Sequence, residues 1–400
     1  MKRILYSLLA LCLVISCEET RLPSLVEWRP SIDESALGDV PRPDSYKITV
    51  SNIGTEAVEE MVFDALSPQT FELVQGIYNI TVQAHGTLGG RAFNYIGTAN
   101  AVKISPGNTG TTPIKVSASE SSALVFKEIH YNASMVKNSA SARYLKDTYF
   151  EVYNNSEQTV YADGICLGDV LSSRVYDFSD KLPDAANYVF MGTYVWQIPG
   201  SGTDYPIAPG ESFVIAASAI DHSQTAETLD LSTAEFETIC DRYKERGGQP
   251  DANAVNMTLV CTIKESGLGN QLGKFTDGAW ALFYPSVPLR KDGEYLESNH
   301  ANNYGLEVLK TDVLDAIDLL KSENPDDKRL ESDLDAGWIK CSTTGGNESV
   351  VRKISGRREN GSIILQDTNN TTEDFTVSDS PQIRRDGTGR PSWSNWTTAQ

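Results

Sequence analysis

Three groups of residues in this 400-residue chain have the types and spacing to do chemistry. Glu128 and Glu151 each lie inside an apolar and aromatic alternation, Leu124 to Tyr131 and Tyr149 to Tyr153, and a pair of carboxylates can serve as acid and base in glycoside cleavage. His130 shares a strand face with Glu128 and has Asp147 near it in sequence, which suggests a metal. Four scattered histidines do not make a ligand set, however, because zinc sites want three or four ligands at short spacing; a lone, satisfied histidine is the plainer reading. Asp333-x-Asp335-x-Gly337 has the first beats of a calcium loop but lacks the third ligand pair and the distal glutamate, so a surface acidic turn competes with a calcium site.

Aromatic residues form a fourth group, suited to binding rather than catalysis. Tyr188, Tyr194 and Trp196 fall in a stretch rich in Tyr, Phe, Pro, Gly and Asp, and Tyr295 and Tyr304 flank an Asn and His cluster (Asn299, His300, Asn302, Asn303). On long loops such rings supply contact area at low entropic cost and stack on sugar faces; alternatively they fill small cores of their own. No G-x-S-x-G elbow, H-E-x-x-H helix, Walker loop or G-x-G-x-x-G stretch occurs in a supporting context, which lowers the expectation of an enzyme and leaves no catalytic residue or cofactor to name.

The N-terminus carries an address. Lys2 and Arg3 precede an apolar run from Ile4 to Ile15, a secretory signal by charge and length, and too short for a bilayer that needs roughly 20 residues. Val14-Ile15-Ser16-Cys17 resembles a bacterial lipobox, which implies acylation of Cys17 and an outer-membrane lipid anchor. Glu18 and Glu19 behind it resemble surface-export signals of Bacteroidota lipoproteins, so the cell surface is the expected location. Removal of the segment holding Lys2 and Arg3 takes the formal charge from −20 to −22; a field of that sign repels phosphate backbones, and nucleic acid is not an expected partner. Cys166, Cys240, Cys261 and Cys341 contain no C-x-x-C pair. An exported chain with four cysteines permits disulfides in three pairings, Cys240 to Cys261 foremost, yet a core of this size does not require them.

The elements that must position these groups are read from periodicity and punctuation. Residues 18–43, with Pro23, Pro30, Pro41 and Pro43, read as a tether to which Trp28 adds a point of attachment. Period-two runs at Tyr46, Ile48 and Val50 and at Tyr78, Ile80, Val82 and Ala84, with turn signals between short strands, predict a β-sandwich over 44–119. A second domain follows over 123–391, with insertions at about 170–205, 219–266 and 285–348, and a tail at 392–400. The first insertion reads as a long irregular loop. Leu231 to Gly247 predicts a helix, with Phe236, Ile239, Cys240 and Tyr243 on one face and Gly247-Gly248 as its stop. Asp312 to Leu320 fits a strand or a helix.

Two family resemblances bear on this outline. GIYNITVQAHG, from Gly76, resembles a strand of prealbumin-like and immunoglobulin-like modules in gut-bacterial surface lipoproteins. LVFKEIHYN from Leu124, YFEVYNN from Tyr149, IAPGESFVIA from Ile207, VLDAID from Val313, SVVRKI from Ser349 and QDTNN from Gln366 with Glu373-Asp374-Phe375 resemble, in order, the lamin-tail domain, an immunoglobulin-like β-sandwich. The sequence departs from that pattern at Lys127 and Ile165. In that family the glutamates recur without catalysis, and the resemblance tips Asp312 to Leu320 toward a strand. The expectation is therefore an all-β chain of two β-sandwich domains. By resemblance to lipoproteins that accompany TonB-dependent transporters, it is expected to be a non-catalytic binding or scaffolding subunit engaging a glycan, a peptide or a membrane partner. A secreted hydrolase and an adhesin are the alternatives.

Overall fold

The computed structural model describes residues 25–394 apart from 39, 41, 56, 65–69, 89–90, 108–112, 121, 240–249, 264–271 and 273–276. Cys17 and the signal expected before it therefore lie outside the described residues. No described helix is long and apolar enough to cross a membrane. The chain is all-β, built as layered antiparallel sheets with two short parallel pairings and one parallel edge.

In the N-terminal part, strict alternation makes the sheet. Tyr46, Ile48 and Val50 of strand Ser45–Asn52 are buried to within 1% while their neighbours face outward, the period expected of a strand covered on one side. The six-stranded sheet runs in the order Ser31–Asp33, Pro113–Glu120, Arg91–Ile104, Gly76–Leu88, Ser45–Asn52, Val58–Asp64. A two-stranded ribbon, Leu25–Trp28 with Phe71–Val74, places Val26, Trp28, Phe71 and Leu73 in the same core. This corrects the tether expected over 18–43: from Leu25 onward it is part of the sandwich. The strands involved are only 4 and 3 residues long, too short between prolines for their alternation to stand out.

The second part is a sandwich of two larger sheets. One runs Val255–Asn256, Phe236–Glu237, Ser212–Ala216, Tyr149–Asn154, Leu124–His130, Ser349–Arg352, Phe375–Ser378. The other runs Leu296–Glu297, Tyr304–Leu309, Tyr188–Gln197, Cys166–Val170, Gly278–Phe283, Val313–Leu319, with Thr258–Thr262 also paired to Tyr188–Gln197. Between them lies a core of Phe126, Phe150, Phe213, Leu167, Trp196 and Trp280 with their neighbours. The outer face of the second sheet is covered as well, with Cys166, Met191, Val195, Phe283 and Leu306 in another cluster.

That double covering accounts for further departures from expectation. The stretch expected as an irregular loop contains Tyr188–Gln197, a ten-residue strand inside the second sheet; buried on both faces, it shows no period-two signal. The helix expected at Leu231–Gly247 is absent from its described part. Phe236–Glu237 is a strand parallel to Ile215-Ala216, where sheet pairing and burial of Phe236 override the helical spacing. Residues 240–247 lie outside the described residues, as does Cys240. Its expected partner Cys261 is a buried free thiol, as are Cys166 and Cys341. Val313–Leu319 is a strand.

Candidate functional site

Glu128 and Glu151 face each other across neighbouring strands. The pairing slips by one residue there, so that Lys127 is the extra residue of a β-bulge. The bulge turns both Lys127 and Glu128 away from the inter-sheet core, and Lys127 Nζ lies 3.1 Å from Glu151. Glu128 accepts hydrogen bonds from Ser349 Oγ at 2.7 Å, the Gln382 amide at 2.8 Å and the Arg385 guanidinium at 3.0 Å. Glu151 accepts from Ser212 Oγ at 2.6 Å and the Arg384 amide at 3.0 Å. A third carboxylate, Glu235, accepts from Arg384, Ser394 and the Val214 amide. All three are fully buried beneath the chain from Gln382 onward. Every oxygen is taken, so the row binds the C-terminal segment to the sheet and has no room for acid–base work on a substrate.

His130 is equally enclosed. Its Nδ1 meets the Glu348 carbonyl at 2.8 Å, and its Nε2 faces both Asp147 at 3.1 Å and Ser134 at 3.3 Å. Burial opposes its charge, but the hydrogen bond and charge of Asp147 outweigh that and raise its pKa. Carboxylate and hydroxyl share one ring nitrogen, so the ring cannot relay a proton between them. The would-be calcium turn also diverges. Asp333 pairs with Lys310 at 2.8 Å, while buried Asp335 accepts from the Gly337 and Thr371 amides and the Thr371 hydroxyl. Gly337 is required there because a β-carbon would run into Asn370 and the Thr372 amide. These oxygens do not fit a cation site, and no cluster of three His, Cys, Asp or Glu suited to a metal occurs among the described residues.

The aromatic candidates separate. Trp196 is fully buried in the inter-sheet core, and Tyr295 packs on the outer-face cluster, its hydroxyl engaged with Asp292 and accepting from the Thr262 amide. By contrast, Tyr194 and Tyr304 line a cleft of about 530 Å³, and Tyr188 lines an adjoining one of about 270 Å³. Leu171, Tyr176 and Arg329 belong to both, making one two-lobed depression.

The larger lobe is drawn from four adjacent strands of the second sheet, contributing Asp169, Thr193, Trp280 and Tyr304, and from segments carrying Asn302, Asn303 and Asp326 to Arg329. Its floor is held rigidly. Asp169 accepts from the Thr193 and Tyr194 amides at 2.9 and 3.1 Å and from the Thr193 hydroxyl at 2.7 Å, spanning a register shift between its strand and the next. Burial raises the Asp169 pKa against those bonds. Gly192 leaves the space Leu171 occupies, since a side chain there would collide with it. Arg329 is tied to Asp277, and its amide donates to Asp318. Tyr176 meets His300 edge-on at 5.8 Å, and Tyr304 is 40% exposed. Tyr176 and Arg329 were not singled out in the sequence; the aromatic richness of the first insertion was the only hint of the former.

Residues 208–382 match the family described as Protein of unknown function (DUF4876). That stretch takes in the Tyr304 and Arg329 sides of the cleft but not Asp169, Tyr176 or Thr193. The chain is also similar to the crystal structure of a DUF4876 family protein from Bacteroides thetaiotaomicron, at 26% identity and a TM-score of 0.60, over 93% of this chain and 99% of that one. No curated protein matches.

Proposed function

We propose that this chain is a non-catalytic binding subunit, held at the outer surface of the outer membrane by acyl groups on Cys17 and taking an extracellular ligand in the cleft of its second sandwich. The observation that carries the reading is the 530 Å³ cleft itself: a concave site of ligand size, with a few convergent polar groups and rings mounted on paired strands. The address rests on the charged and apolar leader, the lipobox-like Val14 to Cys17 and the two glutamates after it. Association with a TonB-dependent transporter is part of the same proposal, supported by the resemblance to lipoproteins of that setting.

The second sandwich is further read as lamin-tail-like. Segments carrying that resemblance fall on strands Leu124–His130, Tyr149–Asn154, Ser212–Ala216, Val313–Leu319 and Ser349–Arg352. The DTNN segment after them has a local reason: Asn370 caps the turn Thr371–Asp374, and Asp374 folds back onto the Thr368 amide and hydroxyl.

Metabolic labelling with a fatty acid, followed by protease shaving of intact cells, tests the address. Label on the wild type and none on Cys17→Ala, with the labelled protein shaved from whole cells, is the expected outcome. A labelled Cys17→Ala variant, or protection of the wild type from protease, contradicts it.

A further inference from the structure

We infer that the ligand of the cleft is an uncharged oligosaccharide, an assignment that rests on the binding role proposed above. Four aspartates and two cations line the larger lobe, and most of them are offset. Arg329 is engaged by Asp277, Arg174 lies 3.1 Å from Asp326, and Lys321 and Asp327 add one charge of each sign to the lining. The remaining acid, Asp169, has its oxygens committed to the Thr193 and Tyr194 amides and the Thr193 hydroxyl.

A sulfated or uronic-acid chain would find no concentrated positive field here, and a polycation no concentrated negative one. A peptide bound as an added strand needs an open sheet edge. The cleft-lining strands leave only short unpaired stretches at this point, because Tyr304 and Gly305 pair with Glu297 and Leu296, and Leu306 to Leu309 pair with Met191 to Tyr188. What the cleft does present is the Tyr304 ring, 40% exposed, the Tyr176 ring, and in the same lining the amides of Asn302 and Asn303 and the hydroxyl of Ser172. Ring faces for the apolar side of a pyranose and neutral donors and acceptors for its hydroxyls are what a neutral sugar requires.

The test is calorimetric titration of the full-length, detergent-solubilised lipoprotein with neutral, sulfated and uronic-acid oligosaccharides and with unrelated peptides. A neutral oligosaccharide is expected to bind, with affinity falling at least tenfold in Tyr304→Ala and Tyr176→Ala, retained in Tyr304→Phe, and unchanged by added salt. Binding only of sulfated glycans, uronic-acid glycans or peptides that is sensitive to Tyr304→Ala overturns the neutral-sugar assignment and leaves the cleft as a binding site. If nothing binds, or if binding survives Tyr304→Ala, Tyr176→Ala and the cleft-filling Ser172→Trp, both the assignment and the binding role fall. Melting curves of each variant confirm that lost binding is not lost folding.

Discussion

Arg352 is a side chain on which buried charge converges. It is 3% exposed and lies against Asp315, Asp367 and Asp374, with its guanidinium carbon 4.4 Å from the centre of the Phe375 ring. One cation does not neutralise three acids. Burial, only partly offset by Arg352, pushes Asp315 up to about 7 and Asp374 to about 6, against roughly 3.9 in an unfolded chain. A carboxyl whose folded pKa is raised stabilises the fold fully below its unfolded pKa and loses that contribution as pH climbs through the folded value. Melting temperature is therefore expected to decline between about pH 4 and about pH 7 through these two groups. Asp315→Asn should flatten the decline, and equal slopes for variant and wild type would remove Asp315 from the account.

At the scale of elements, the C-terminal segment from Gln382 to Arg385 behaves as a strap across the first sheet. Arg384 and Asp386 hold left-handed backbone angles, φ 55 and 65, which non-glycine residues adopt only when surroundings impose them. Arg384 is held there by Glu151 and Glu235, and its neighbour Arg385 by Glu128. Removing one member of a buried pair leaves the other uncompensated, at a cost of about 3–5 kcal/mol. Arg385→Gln should thus destabilise strongly, while Glu128→Gln with Arg385→Gln should recover part of the loss in a double-mutant cycle. Additive losses in urea denaturation would show that the two do not act as a pair. The strap also explains why carboxylates inside apolar strands are tolerated: the face they occupy is covered by polar backbone and guanidinium groups rather than by hydrocarbon.

For the whole molecule, the core built from Val26 to Ala118 and those built from residues beyond Ala123 share no side chain. Among the described residues one ion pair joins them, Lys47 to Glu373 at 4.0 Å, which is partly exposed and worth at most about 1 kcal/mol. Scanning calorimetry is expected to show two unfolding transitions, and a single cooperative one would mean the parts are coupled more tightly than this contact allows. Where one sheet face is covered and the other wet, as in Ser45–Asn52, alternation alone determined the strand. The acidity and the all-β class were equally legible, because each depends on local composition or period. Tyr188–Gln197 and Phe236–Glu237 were not, since burial on both faces erases period two and leaves short apolar runs that suit a loop or a helix as well. Tertiary structure alone decided that Glu128 and Glu151 are clamped, that Trp196 is core, and that Tyr176, Tyr304 and Arg329 meet in one cleft. Tyr176 and Tyr304 are 128 residues apart, and Gln382 and Arg385 lie more than 250 residues beyond Glu128; no local pattern records which distant segment will arrive.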